Sequence, residues 1–85
     1  MNELEKLRKE IDEIDEKIAI LFNERMKIVQ KIKDYKKENN LPIQDKNREE
    51  SLIKQNLAYI NKEYQDLYIK LEQEFFKLSK DFQAK

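Results

Sequence analysis

A regular stripe of hydrophobic residues runs through the first 35 residues and constrains the fold more than any other feature of the chain. Successive members are separated by alternating steps of three and four residues, which is typical of one face of an α-helix. The members are Leu4, Leu7, Ile11, Ile14, Ile18, Leu21, Ile28, Ile32 and Tyr35. The stripe predicts a single helix from about Asn2 to about Glu38.

Helix-breaking residues divide the rest of the sequence into two further helices. Two asparagines and Pro42 end the first helix, and Asp45 is a candidate N-cap of a second helix that reaches about Ile60. A weaker break near residues 61–63 precedes a third helix with the same spacing: Tyr64, Leu67, Leu71, Phe75, Leu78 and Phe82. Because the chain has no glycine, tight hairpins are disfavoured. The expected fold class is all-α, with long, short and medium helices in one domain spanning residues 1–85.

The length of the first helix predicts a second copy of the chain. A helix of roughly 35 residues is about 50 Å long. A compact chain of this size has a radius of gyration of about 12 Å and is only about 30 Å across. The other residues cannot cover such a helix, so part of its stripe must contact another chain. A homodimer of paired long helices is the simplest closure, and a coiled-coil dimer is the structural alternative that periodicity alone favours.

Composition excludes several classes of function. Lys plus Arg and Asp plus Glu number 18 each, so nothing in the net charge supports binding to nucleic acid or to an anionic membrane. The chain has no cysteine and no histidine, which removes thiol nucleophiles, the usual zinc ligands and the commonest general base. No segment looks like a signal peptide or a membrane span, so a cytoplasmic protein is expected.

A positive charge interrupts the stripe at Arg25. One alternative is a polar residue that sets the register of paired helices. Another is an arginine paired with an acid such as Glu24, because a buried arginine needs a partner. A third is that the guanidinium binds a ligand, and the choice depends on the other polar residues near the same stripe.

Two more cations bear on that choice. Lys36 lies 11 residues after Arg25, three turns plus about 20° of helix, so both cations share one stripe with Cα atoms about 16 Å apart. Their long side chains could hold a small dianion between them, although Lys36 alone is a solvated helix end. Arg8 lies about 25 Å along the axis from Arg25. If Arg8 contributes to the same site it must come from another chain, and alone it is a surface charge.

Two further groups of polar residues follow the first helix. Asp45, Arg48 and Glu49 occupy positions i, i+3 and i+4, which gathers them on one face of the second helix. An N-cap with a local ion pair is the structural alternative for this group. Ser79 and Gln83 lie four residues apart beside the stripe of the third helix, where an ordinary polar flank is the alternative.

At these positions the sequence resembles the all-helical, intertwined-dimer class of chorismate mutase over nearly the whole chain. The opening LRKEIDEIDEKIAILFNERMKIV is similar to the family's first helix, with one arginine near its start and another in an ER motif. The segment KDYKKENNLPIQDKNREE has a lysine before the turn and then P-I-x-D-x-x-R-E, and FFKLSKDFQ has the closing S-x-x-x-Q. The resemblance implies eight site residues: Arg8, Arg25, Lys36, Asp45, Arg48, Glu49, Ser79 and Gln83.

The resemblance also implies an activity, the isomerisation of chorismate to prephenate in phenylalanine and tyrosine biosynthesis. This intramolecular Claisen rearrangement needs no cofactor, no metal, no nucleophile and no obligatory proton transfer. The alternatives are an isochorismate-pyruvate lyase of the same fold and a non-catalytic coiled-coil dimerisation module.

Each residue type suits a role that the resemblance implies. Arg25, with Arg8 supplied by the partner chain, would grip the substrate carboxylates with two-pronged guanidinium groups. Lys36 and Gln83 would donate to the ether oxygen, where negative charge develops, and Glu49 would accept from the substrate hydroxyl. The residues that would shape the polar end of the site are Asp45, Arg48 and Ser79, with Arg48 either holding the Glu49 carboxylate or meeting a carboxylate through Ser79.

Overall fold

The computed structural model describes residues 2–85, which form three α-helices. Helix α1 spans Glu3–Glu38, α2 spans Lys46–Asn56 and α3 spans Gln65–Gln83, with 3-10 turns at Leu57–Tyr59 and Lys62–Tyr64 between α2 and α3. The all-α class with long, short and medium helices is confirmed. None of the helices within the described residues is long and apolar enough to cross a membrane. The predicted domain range begins at Met1, which lies outside the described residues.

Asparagines close both ends of α1, which confirms its predicted bounds. At the start, the side-chain oxygen of Asn2 accepts a hydrogen bond from the backbone N–H of Glu5 at 2.8 Å. At the end, Asn40 adopts a left-handed backbone with φ 54°, a conformation that asparagine tolerates better than most residues in a chain without glycine. The backbone N–H of Leu41 then donates to the carbonyl of Lys36 at 2.9 Å and satisfies one of the last helical acceptors.

The second α-helix ends earlier than predicted. Periodicity extended it to about Ile60, but the α-helix stops at Asn56 and tightens into the 3-10 turn 57–59. The side-chain amide of Gln65 donates to the carbonyl oxygens of Leu57 and Ile60, both at 3.3 Å. These bonds from the first residue of α3 satisfy carbonyls that a longer helix would have left without partners. Hydrophobic spacing does not reveal a cap of this kind.

A row of three polar side chains joins α2 to α3. The side-chain amide of Asn56 donates to the hydroxyl of Tyr68 at 3.1 Å, and that hydroxyl donates to the Glu72 carboxylate at 3.0 Å. Burial raises the pKa of Tyr68 above its usual 10.0 and Glu72 raises it further, while the hydrogen bond from Asn56 acts in the opposite direction. The hydroxyl therefore keeps its proton more strongly in the folded chain than in the unfolded chain.

We expect Tyr68→Phe to flatten the loss of stability at alkaline pH. The raised pKa means that the stabilising contribution of Tyr68 is complete below the unfolded value of 10.0 and is lost as the pH rises through the higher folded value. Phenylalanine does not titrate, so the free energy of unfolding should fall less steeply with pH in that range. Urea denaturation followed by circular dichroism measures this slope. Tyr59→Phe, which removes an exposed hydroxyl, is the matched control, and equal slopes in wild type and Tyr68→Phe would contradict the expectation.

The single chain is elongated and leaves most of its hydrophobic stripe uncovered. Its radius of gyration is 16.2 Å and its dimensions are 55 × 25 × 16 Å, whereas a compact chain of this length would have a radius of gyration of about 12 Å. Every side chain from residue 2 to residue 24 is exposed. Among the hydrophobic residues that the structure describes, only Val29 is buried. The part of the stripe that was predicted to need another chain is therefore open on this one.

Candidate functional site

A cleft lies where the C-terminal half of α1 meets α2 and α3, and its cavity volume is about 150 Å³. Seven of the eight predicted site residues line it: Arg25, Lys36, Asp45, Arg48, Glu49, Ser79 and Gln83. Apolar side chains from all three helices and the first loop form the rest of the wall, together with Lys80: Val29, Ile32, Ile43, Leu52 and Phe76. The fold therefore gathers most of the predicted residues in one place.

Arg25 is held in the cleft by two contacts from α3. Its Nη1 donates to the hydroxyl of Ser79 at 2.7 Å, and its guanidinium carbon lies 5.2 Å from the centroid of the Phe75 ring. Phe22 of α1 stacks on the same ring at 6.2 Å. Arg25 has no carboxylate partner among the described residues, so the alternative pairing with Glu24 is not observed. Most of the five N–H donors of the guanidinium remain available to an anion.

Lys36 is held by the loop that follows α1. Its Nζ donates to the backbone carbonyl of Ile43 at 2.7 Å, which the chain brings back over the last turn of α1 after the left-handed Asn40. The side chain is half-buried, so it is more than a solvated helix end. An ammonium has three N–H donors, and two of them remain for an acceptor in the cleft.

The first turn of α2 contributes a cap and an ion pair. The Asp45 side chain accepts from the backbone N–H of Arg48 at 3.0 Å, which confirms the predicted N-cap. The ion pair is not local, because the Glu49 carboxylate contacts the ammonium of Lys80 on α3 at 3.4 Å. Lys80 was missed by sequence reasoning. Its partner is on another helix, so no spacing within α3 could have indicated the contact.

Gln83 ends α3, lines the cleft and has an unsatisfied amide oxygen. Its Oε1 is buried and has no hydrogen-bond partner among the described residues. A buried polar atom without a partner is costly, and a bound polar group would relieve that cost. A half-turn of the amide exchanges its donor and its acceptor, so the same side chain can present either to a ligand.

Arg8 is the one predicted residue that the fold leaves outside the cleft. Its side chain is exposed, and it lies 17 residues before Arg25 on the same helix. That separation corresponds to about 25 Å along the helix axis. A single chain therefore does not bring Arg8 to the site, in agreement with the distance argument made from the sequence.

The cleft carries a surplus of positive charge. Four cationic side chains line it, from Arg25, Lys36, Arg48 and Lys80, and two carboxylates oppose them, from Asp45 and Glu49. The formal net charge of the lining is therefore +2 in a chain whose overall charge is zero. Such a cleft attracts a small dianion, and its hydrogen-bond donors can orient one.

The chain is similar to a known protein family and to a curated relative. The family model described as chorismate mutase type II matches residues 7–84. A bifunctional chorismate mutase/prephenate dehydratase of Aquifex aeolicus (strain VF5) is 48% identical over 63 residues, which cover 74% of this chain and 17% of that relative. The chain therefore spans less than one fifth of the length of this curated relative. No solved structure matches the chain significantly.

Proposed function

Because this chain belongs to the chorismate mutase type II family, we propose that it isomerises chorismate to prephenate in phenylalanine and tyrosine biosynthesis. Residues 1–85 would act as one helical domain of this kind in the cytoplasm. The observation that carries the proposal is the cleft, whose lining has a net charge of +2 and several donors, because the substrate is a dianion.

The reaction suits a site of this composition. One C–O bond breaks and one C–C bond forms within a single molecule, and no group is transferred to the protein. The protein must hold a flexible dianion in its reactive chair-like shape and stabilise the charge that develops as the C–O bond stretches. Arginine, lysine and amide side chains meet both needs, so the absence of histidine and cysteine is no obstacle.

Arg25 is proposed as the main carboxylate clamp. Ser79 and Phe75 hold its guanidinium before substrate arrives, so the side chain loses little conformational entropy when the substrate binds. Its remaining N–H groups can grip a carboxylate with two parallel hydrogen bonds. Lys36 and Gln83, on the facing ends of α1 and α3, would donate to the ether oxygen, where preorganised donors are most effective.

The first turn of α2 is proposed to bind the polar end of the substrate. Glu49 is oriented by Lys80, and its carboxylate would accept a hydrogen bond from the substrate hydroxyl. Arg48 is exposed at the edge of the cleft and would meet a carboxylate. Asp45 would act through the cap of α2, which sets the position of the first turn and so of both side chains.

A second copy of the chain is proposed to complete the site with its Arg8. The exposed stripe of α1 needs a hydrophobic partner, and a self-complementary pairing of two long helices would bury it. An apolar cavity of about 300 Å³ lies beside Arg25, lined also by Ile18, Leu21, Phe22, Leu71 and Phe75. A hydrophobic stretch of the partner's α1 seated in this cavity would bring the partner's Arg8 toward the cleft.

The test is an activity assay of the purified chain. Chorismate and isochorismate are supplied separately, and the products are identified by absorbance and chromatography. Prephenate from chorismate is the expected result. Salicylate and pyruvate from isochorismate, without prephenate from chorismate, would make the chain a lyase. No product and no saturable binding of either compound would leave a non-catalytic dimerisation module.

We also expect the turnover number to be nearly constant from about pH 5 to about pH 8, because no histidine titrates in that range.

Gln83 donates an amide N–H and needs no protonation. In Gln83→Glu, only the protonated carboxyl can donate, so activity should rise as the pH falls toward the usual glutamate pKa of about 4.3. Turnover at saturating chorismate in buffers of constant ionic strength measures both. A steep fall in the wild-type turnover number above about pH 5, with the fold intact, would contradict the role of Gln83.

A further inference from the structure

A second cavity adjoins the cleft at the C-terminal ends of α1 and α3. Its volume is about 380 Å³, and it shares Lys36, Ile43 and Gln83 with the cleft. We call it the lysine vestibule, because four of its lining residues are lysines: Lys33, Lys36, Lys37 and Lys85. The hydrogen bond from Lys36 to the carbonyl of Ile43 lies at the boundary between the two cavities.

All the charged side chains that line the vestibule are positive. None of its lining residues within the described chain is an aspartate or a glutamate. At about 100° per residue, Lys33 and Lys37 lie about 40° apart around α1, whereas Asp34 and Glu38 lie about 100° and 140° away from Lys33. Asp34 and Glu38 therefore lie on other faces of α1 and not on the face of Lys33 and Lys37. In a chain of zero net charge, these four lysines form a local surplus of positive charge beside the cleft.

Complementing the helix dipoles does not account for this arrangement. Two helix ends meet here, and each carries about half a negative charge, so together they offset about one of the lysine charges. Lys33 also lies one turn before the last turn of α1. Its ammonium is held 4.8 Å from the centroid of the Phe82 ring, so the aromatic end of α3 keeps this charge at the vestibule. A positive surplus remains for a ligand.

We propose that the lysine vestibule captures the dianionic substrate and delivers it to the adjoining cleft. This inference rests on the proposed function, because its ligand is the dicarboxylate that the cleft would convert. Lys33 and Lys37 attract the anion without contacting the reacting atoms. Lys36 lines both cavities and has donors free of Ile43, so an anion passing inward meets the same ammonium on both sides of the boundary.

The test compares a variant that lacks two lysine charges in the vestibule with a control variant that lacks two lysine charges elsewhere. In Lys33→Gln/Lys37→Gln, we expect kcat/KM for chorismate to fall about five- to tenfold at an ionic strength of about 0.01 M, through KM and with kcat unchanged. At about 0.5 M salt the screening length is only a few Å, so the difference should shrink below about twofold. Lys54→Gln/Lys62→Gln changes exposed lysines outside the lining of both cavities and should match the wild type.

The double variant also removes the contact between Lys33 and Phe82 and could disturb the fold, so a second pair of variants changes Lys37 alone. Lys37→Glu leaves that contact in place and should lower kcat/KM at low salt more than Lys37→Gln does. The proposal is overturned if the vestibule variant behaves as the control does, or if its defect persists at high salt with a lower kcat. An active wild type with an unaffected vestibule variant refutes only this inference. An inactive wild type refutes the proposed function, and with it the substrate named here.

Discussion

Arg25→Ala is expected to lower kcat/KM for chorismate by about 10²- to 10³-fold, the usual effect of removing one preorganised donor to a charged group, while the proposed dimer persists. In the structure Arg25 contacts Ser79 and Phe75 of its own chain, and it has no carboxylate partner among residues 2–85. Removing its side chain should therefore weaken binding of the substrate carboxylate more than it destabilises the fold. Steady-state kinetics and mass in solution, measured on the same preparation, check both parts.

Two matched variants sharpen this experiment. Arg25→Lys keeps the charge but not the two-pronged geometry, so its activity should lie between those of wild type and Arg25→Ala. Glu24→Gln changes an exposed neighbour that does not line the cleft and should be close to wild type. If Arg25→Ala alters the oligomeric state and leaves the turnover of the folded protein unchanged, Arg25 sets the helix register instead.

The second large effect is a recovery of activity. Arg8→Ala and Arg25→Ala chains, each nearly inactive alone, should regain about a quarter of wild-type activity when refolded together in equal amounts. Half of the dimers would then be mixed, and each mixed dimer would contain one site with Arg25 from one chain and Arg8 from the other. The activity of the mixture relative to refolded wild type is the measurement.

A control pair separates this recovery from a general effect of mixing. Arg25 and Lys36 line the same cleft of one chain, so Arg25→Ala refolded with Lys36→Ala contains no intact site and should stay inactive. Full activity of Arg8→Ala by itself would remove Arg8 from the site. Failure of the first pair to recover, with both single variants inactive and dimeric, would mean that Arg8 does not act across the interface.

Much of the fold was predictable because its determinants are local. The bounds of α1 follow from a stripe of hydrophobic residues and from asparagines at both ends. The N-cap of α2 follows from Asp45, whose side chain reaches only three residues along the chain. The end of α2 was predicted four residues too late, because the group that caps it, Gln65, belongs to the next helix.

The site was predictable in its membership but not in its contacts. Seven residues chosen from the sequence line one cleft. They could be chosen because helical spacing showed which residues share a face and the resemblance indicated which of them form a site. The contacts that orient them were not foreseen. Ser79 holds Arg25, and Lys80 rather than Arg48 pairs with Glu49. Phe75 under the guanidinium was expected only as one member of a hydrophobic stripe.

The sequence by itself determined the number of helices and their order, because spacing and capping depend on neighbours a few residues apart. From the length of α1 it also predicted a covering partner. Only the tertiary structure decided how the cations are held and where they lie relative to one another. Arg25 and Ser79 are 54 residues apart in the chain yet 2.7 Å apart in space. Contacts of that kind depend on how α1 and α3 pack, and side-chain packing between helices is not encoded in the period of either one.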